Sequence, residues 1–137
     1  NAYHRWIVHC MAAAGQDGLG ALDVLVLHLV NHREREKRLS DLCFLLNIED
    51  SHVVNYSLKK LARMELVTAH RRGKETFHAT NEAGQAACQR YRDIRESCLI
   101  ASHAALGQNN EEIGEAARML RVLSGLYDQA ARAAASL

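Results

Sequence analysis

The sequence predicts a mainly α-helical fold with one small β-hairpin. Residues 39–67 contain two short amphipathic segments separated by a polar turn. Directly after them, residues 67–80 alternate in the manner of two strands around a basic turn that contains glycine. Helical patterns continue on both sides of this region. We therefore predict a winged helix-turn-helix head with long amino- and carboxy-terminal helices.

The amino-terminal part predicts two helices. A helical stripe in the first is formed by Tyr3, Trp6, Ile7, Cys10, Met11 and Ala14. Glycines at positions 15, 18 and 20 then interrupt the pattern. The second helix, from about Ala21 to His32, is apolar nearly all round and should lie at the centre of the domain. The charged run that follows predicts a solvated connection, at whose end Arg38 could reach a phosphate.

The first helix of the central motif should begin near Ser40, whose hydroxyl is suited to cap it. One face carries the apolar residues Leu39, Leu42, Cys43 and Leu46. Asn47 tolerates the left-handed conformation of a helix ending, so we place the end of the helix there.

The second helix of the motif has an apolar and a polar face, and Ser51 is predicted to cap it. The apolar face consists of Val54, Leu58, Leu61 and Ala62, and the polar face of His52, Asn55, Tyr56, Lys59 and Arg63. Asparagine and cationic side chains suit the edges and phosphates of the DNA major groove. Taken alone, such a face is also typical of an ordinary solvated surface.

The hairpin should consist of strands over Val67–His70 and Glu75–Thr80. Gly73 at the tip permits the positive φ that a tight turn needs. The cations Arg71, Arg72 and Lys74 around it would project toward a phosphate backbone or a minor groove. A merely solvated loop is the alternative.

Beyond the hairpin, a long helix should start at Thr80 or Asn81. Its apolar positions recur every three or four residues at Ala83, Ala87, Tyr91, Ile94, Cys98, Ala101 and Ala105. Asn109 and Glu112 are suited to cap a final helix, with a stripe formed by Ile113, Ala116, Ala117, Leu120, Leu123, Tyr127 and Ala131. A small head cannot cover such stripes, so they should pack on further helices, including those of a second subunit.

Several segments in order resemble the MarR family of bacterial transcription regulators: residues 39–42 (LSDL), 46–48 (LNI), 51–54 (SHVV), 58–61 (LKKL), 66–67 (LV) and 80–84 (TNEAG). Asn47 and Glu65 stand where glycines are usual in this family, and the short wing lacks its common Asp and Arg pair. The resemblance implies a head over residues 21–80, with dimerisation helices in 1–20 and 81–137. It also implies a homodimer on a pseudo-palindromic operator, and a pocket for a small-molecule effector.

The charge distribution favours nucleic acid more than the net charge of +1 does. Residues 33–74 contain ten Lys and Arg against six Asp and Glu, a balance of +4, and the remainder of the chain carries −3. No apolar run is long enough to span a membrane, so we expect a cytoplasmic protein. Because the chain begins with Asn1 and not Met, we also expect residues before it.

Metal binding, cofactor binding and catalysis find little support. The cysteines lack a metal-type spacing, and only His28 and His32 share a helix face. Cys10 has apolar neighbours, which favours packing over the oxidant sensing known for some relatives. No phosphate loop, nucleophile elbow or acid and base pair is present, so we predict no enzyme and no cofactor.

The predicted function is sequence-specific binding of double-stranded DNA by a homodimeric regulator. The predicted DNA-contacting residues are Arg38, Ser40, Ser51, His52, Asn55, Tyr56, Lys59, Lys60, Arg63, Arg71, Arg72 and Lys74. The alternative is a winged-helix module that binds protein and not DNA, a role that the same fold supports.

Overall fold

The computed structural model describes residues 1–105, 107 and 110–136. The helices are α1 (Ala2–Ala13), α2 (Ala21–Asn31), α3 (Leu39–Leu46), α4 (Ser51–Arg63), α5 (Glu82–Arg95), α6 (Ala101–Ala105) and α7 (Asn110–Ala134). The strands are β1 (Lys37–Arg38), β2 (Val67–Arg72) and β3 (Glu75–Thr80). Two compact units result, Asn1–Glu96 and Ser97–Leu137. The predicted fold class, mainly α with a small β-hairpin and helices at both ends, is confirmed.

Helix α2 lies at the centre of the first unit, as its apolar sequence predicts. Val24, Val26 and Leu27 are completely buried, and Val30 is nearly so. Around α2, the other helices contribute the buried side chains Ile7, Cys10, Met11, Leu42, Val54, Leu58, Leu61, Ala87 and Tyr91. Each large aliphatic side chain contributes roughly 1.5–3 kcal/mol by leaving water. This core fixes α4 with one face inward.

The sheet has three antiparallel strands in the order β1-β3-β2. Within the hairpin, Val67 pairs with Thr80 and Arg72 with Glu75, and Gly73 adopts the predicted positive φ of 64°. The strand β1 was not predicted. It lies in the charged run that we interpreted as a solvated connection, and it pairs Lys37 with His78. The wing is thereby joined to the chain segment that enters α3.

Both predicted serine caps are wrong, by two residues for α3 and by one residue for α4. Arg38 is the N-cap residue of α3, and the Asp41 carboxylate accepts its backbone N–H at 2.9 Å, while Ser40 is exposed inside the helix. Asp50 caps α4 by accepting the His52 N–H at 2.9 Å, so Ser51 is the first helical residue. The predicted helix ending at Asn47 is confirmed, with φ of 53°.

The segment TNEAG at residues 80–84 joins the wing to α5 through specific contacts. The Thr80 hydroxyl donates to Asn31 Oδ1 at 3.0 Å. The Asn81 carboxamide accepts the Gly84 N–H at 2.9 Å and donates to the Glu65 carbonyl at 2.6 Å. Glu65 itself has φ of 55°, which explains why glycine is favoured at this position. A Cβ on Gly84 would lie 2.1 Å from the Leu66 carbonyl oxygen, so only glycine fits there.

We expect Gly84→Ala to destabilise the fold. The added methyl group must displace backbone, because the obstructing Leu66 oxygen belongs to the main chain. Overpacking of this kind costs roughly 1–3 kcal/mol in free energy of unfolding, and occasionally more. Urea unfolding would measure the loss. Gly114→Ala is the control, since nothing lies within 4 Å of its Cβ. Equal stability of the two variants would contradict this interpretation.

The predicted long helix after the wing is buried in one part and exposed in the next. Ala87 and Tyr91 are buried in the core of the first unit. A π-helical segment, Glu96–Ile100, follows α5, and Cys98, Ala101 and Ala105 are exposed. Only the earlier part of this apolar stripe therefore packs into the core of the first unit.

The second unit contains α6 and α7. None of the described residues of α7 is buried, and its predicted stripe leaves Ile113, Leu120, Leu123 and Tyr127 between 41% and 75% exposed. The predicted cap at Asn109 lies outside the described residues. Within the described part of the chain, no helix is long and apolar enough to cross a membrane.

Candidate nucleic-acid interface

The outward face of α4 is polar and cationic because the opposite face is used by the core. Val54, Leu58 and Leu61 are buried. The exposed residues at the centre of the opposite face are His52, Tyr56, Lys59 and Arg63, while Asn55 is half-buried at its margin. This face can offer hydrogen-bond donors, an amide and two cations to a ligand with polar edges and negative charge.

A buried carboxylate ties α4 to α2. Asp23, only 7% exposed, accepts hydrogen bonds from Ser57 Oγ at 2.5 Å, from Lys60 Nζ at 2.6 Å and from the Gly20 N–H at 2.8 Å. Burial raises the pKa of Asp23, but these hydrogen bonds outweigh it and leave the pKa below the usual value. The carboxylate is therefore ionised at neutral pH and fixes the rotation of α4.

Lys60 has a structural role that the sequence did not reveal, and its predicted DNA contact stays a prediction. Its ammonium group bonds the Asp23 carboxylate and also the Gly18 carbonyl at 2.7 Å. Removing it would leave a buried charge without its counterion, which is costly. Through these two hydrogen bonds, Lys60 positions α4 against the start of α2. Asp23 and Ser57 were missed by the sequence analysis, although a serine on the apolar face of α4 and an aspartate in the first turn of α2 were visible signals.

Asp23→Asn should lower the free energy of unfolding and reduce the dependence of that free energy on pH. Because the pKa of Asp23 is lower in the folded state, its carboxylate stabilises the fold at every pH above the unfolded-state pKa of about 3.9. This contribution disappears as the pH falls through the folded-state pKa. We expect a loss of roughly 1.5–3 kcal/mol at pH 7. Chemical unfolding at pH 7 and in the acid range below about pH 4 would measure both effects.

Asp17→Asn is the matched control, because Asp17 is exposed in the loop that leads into α2. It should unfold like the parent at both pH values. If Asp23→Asn kept the full acid dependence of the parent, the buried carboxylate would not be its source.

The wing is held by ion pairs to the chain segment that precedes α3. Glu36 accepts from Arg72 Nη2 at 2.8 Å and lies 3.1 Å from His70 Nε2. The Arg72 guanidinium also lies 4.7 Å from the centre of the Phe77 ring, a cation–π contact. Arg72 therefore has a structural role that the sequence did not reveal, and its predicted DNA contact stays a prediction.

Arg38 connects three elements at once. Its guanidinium donates to Asp41 Oδ1 at 2.9 Å and to Glu75 Oε1 at 2.8 Å. The Arg38 hydrogen bonds lower the pKa of Asp41. Because Asp41 lies in α3 and Glu75 in β3, Arg38 holds the wing against the start of the helix-turn-helix. Any contact of Arg38 with a phosphate would have to compete with two carboxylates.

Other cations of this region are not engaged in this way. Within residues 1–105, 107 and 110–136, no ion pair holds Lys59, Arg63, Arg71 or Lys74, and all four are exposed. Arg71 bonds the Gly73 carbonyl through Nε at 3.1 Å, within the turn. These four side chains, two from α4 and two from the wing tip, are accessible to an external anion.

Of the other titratable residues considered from the sequence, Cys10 is buried and His28 is half-buried, whereas His32 is exposed. His28 stacks edge-on against Tyr91, with ring centroids 4.4 Å apart, and burial together with Arg95 and Arg92 lowers its pKa to about 4. Cys10 is buried, and its thiol lies 3.5 Å from the Tyr91 carbonyl as a donor. In the described part of the chain, no group of three or more His, Cys, Asp or Glu side chains could hold a metal ion.

Known proteins share the fold of this chain. Residues 19–84 match the family model described as a winged helix DNA-binding domain. The structure of Staphylococcus aureus MarR, solved in complex with salicylate and kanamycin, is similar with a TM-score of 0.73 and 11% identity, over 93% of this chain and 84% of that one. No curated protein matches the chain in sequence.

Two further solved structures are similar to the structure of this chain. A cysteine-to-serine mutant of E. coli MarR matches with a TM-score of 0.66 and 12% identity, over 89% of this chain and 88% of that one. Bordetella bronchiseptica BpsR matches with a TM-score of 0.65 and 20% identity, over 90% of this chain and 92% of that one. Residues 19–84 thus match a winged helix domain model. The chain as a whole has a MarR-like winged-helix fold, and the predicted resemblance is confirmed.

Proposed function

We propose that this chain is a transcription regulator that binds double-stranded operator DNA as a homodimer. The observation that supports this best is the position of four exposed cations that are in none of the ion pairs described above. Lys59 and Arg63 lie on the outward face of α4, and Arg71 and Lys74 lie at the tip of the wing. In a winged helix, these are the two elements that enter or flank a DNA groove. We assign α4 to the major groove and the wing to the backbone or the minor groove.

Within this proposal the residues divide by task. Asn55 reads a base edge together with His52 and Tyr56, since asparagine bonds adenine with two hydrogen bonds. Lys59, Arg63, Arg71 and Lys74 bind phosphates. Ser40 and Ser51, both exposed, offer hydroxyls to the backbone at the starts of α3 and α4.

The division predicts different behaviour of two variants. Asn55→Ala should relax base preference and cost roughly 1–3 kcal/mol on the preferred site. Lys74→Gln should weaken all sequences alike and reduce the slope of log affinity against log salt by about one. Sites selected from a random duplex pool, followed by affinity measurements at several salt concentrations, would test both.

Lys74→Arg is the control, because it keeps the charge and should keep the salt slope. If Asn55→Ala and Lys74→Gln lowered affinity equally on preferred and random sites, the assignment of base reading to α4 would be wrong. An absence of both sequence enrichment and salt dependence would favour the protein-binding alternative. The observation that favours that alternative is Phe44 on α3, which is 85% exposed beside the half-exposed Leu45.

Dimerisation is supported by the unburied apolar side chains of α7. The exposed set comprises Ile113, Met119, Leu120, Val122, Leu123, Leu126 and Tyr127. So many apolar groups on one helix are costly in water and are typical of an interface. A second copy of the chain is the occupant that we propose, since dimers place two recognition helices about one DNA turn apart.

Leu120→Asp should weaken this dimer. Placing a carboxylate at the centre of an apolar interface should raise the dissociation constant roughly thirtyfold or more, as expected for a central interface residue. Sedimentation equilibrium over a range of protein concentrations would measure it. Glu111→Gln, an exposed polar change on the same helix, should leave the constant unchanged. A monomeric parent protein would refute the proposed assembly.

Release by a small-molecule effector completes the proposal. The S. aureus relative is described in complex with salicylate, and DNA binding by the B. bronchiseptica relative is described as regulated by 6-hydroxynicotinic acid. This chain has a cleft of about 650 Å³ lined by Asn31, Arg33, Glu82, Gln85, Ala86, Gln89 and Arg92. Its two guanidinium groups suit an organic anion. A ligand that prefers a head conformation unfit for DNA would shift the equilibrium away from binding.

A further inference from the structure

The first turn of α4 carries an apolar side chain in an unexpected place. Val53 is 42% exposed, although the adjoining Val54 is completely buried. Three residues further, on the same side of the helix, Tyr56 is 64% exposed. Val53 lies at the margin of the outward face, whose other residues are His52, Asn55, Lys59 and Arg63, all polar or cationic.

Neither the core nor the helix itself accounts for Val53. Val54 fills the core position of this turn, and Val53 lies outside the buried cluster. A β-branched residue is also a weaker helix former than the residues usual on helix surfaces. The position within α4 is informative, because the amino-terminal residues of a recognition helix are those that contact base edges.

We infer that Val53 is a specificity-determining residue that packs against the C5 methyl group of thymine. This inference rests on the proposed DNA binding and adds the identity of one operator base. In the major groove, thymine alone among the four bases presents a methyl group, and apolar side chains recognise it by contact. The Val53 side chain has no polar atom, so it cannot read any other base feature. Tyr56 adds aromatic surface on the same side and helps to exclude water.

The experiment removes the methyl group from the DNA and leaves the protein intact. In the operator selected by the parent protein, each thymine is replaced in turn by 2′-deoxyuridine, which pairs in the same way but lacks the methyl. At one thymine in each half-site we expect about fourfold weaker binding, the value for one buried methyl-sized group. Replacement at the other thymines should have little effect.

Protein variants then assign the effect to Val53. Val53→Ala should bind the parent operator about fourfold more weakly and show no further loss with deoxyuridine at the sensitive position. Val53→Ile keeps the contact and should keep the sensitivity. Circular dichroism melting of both variants checks the fold, and the deoxyuridine series on the parent protein is independent of it.

Three results would overturn the inference: an operator without thymine opposite α4, no sensitive thymine, or equal sensitivity in the parent and in Val53→Ala. Each of them is compatible with sequence-specific, salt-dependent binding of the same operator, so the proposed function would stand. Failure of the proposed function is a different result, namely that no operator is enriched.

Discussion

The arrangement of this head depends on the carboxylate of Asp23. It lies at the start of the central helix α2 and receives hydrogen bonds from the backbone of Gly20 and from Ser57 and Lys60 of α4. Hydrophobic contacts of Leu58 and Leu61 hold α4 against the core but are not directional. The hydrogen bonds to Asp23 are directional, so they select one rotation of α4 about its axis. That rotation decides which side chains face outward.

Charge in this region serves two purposes that the sequence alone does not separate. Arg38 and Arg72 are paired with Asp41, Glu75 and Glu36, and they hold the wing in place. Lys59, Arg63, Arg71 and Lys74 are in no such ion pair and are accessible to an external anion. A net charge of +1 therefore understates the positive character of this surface, because the carboxylates of Glu36, Asp41 and Glu75 are held in ion pairs.

The features predicted from sequence are those with a local cause. The apolar spacing in α4 indicated its buried face, and the tolerance of Asn47 and Gly73 for positive φ located a helix end and a turn. The cap of α4 was misplaced because Asp50 and Ser51 are both good capping residues, and only the backbone decides between them. The strand β1 and the Asp23–Lys60 pair join residues far apart in sequence, so no local pattern announces them. The roles of the exposed side chains in DNA contact remain predictions.

Two residues other than glycine adopt left-handed backbone conformations on either side of α4, Asn47 with φ of 53° and Glu65 with φ of 55°. Glycine would relieve the local strain there, but it would also give the unfolded chain more conformations to lose. The two effects on the free energy of unfolding therefore oppose each other. Such positions can diverge freely between homologues while the backbone path persists. A fold shared at 11–20% identity is the expected evolutionary outcome when shape is specified by dihedral angles and burial, with few obligatory residue types.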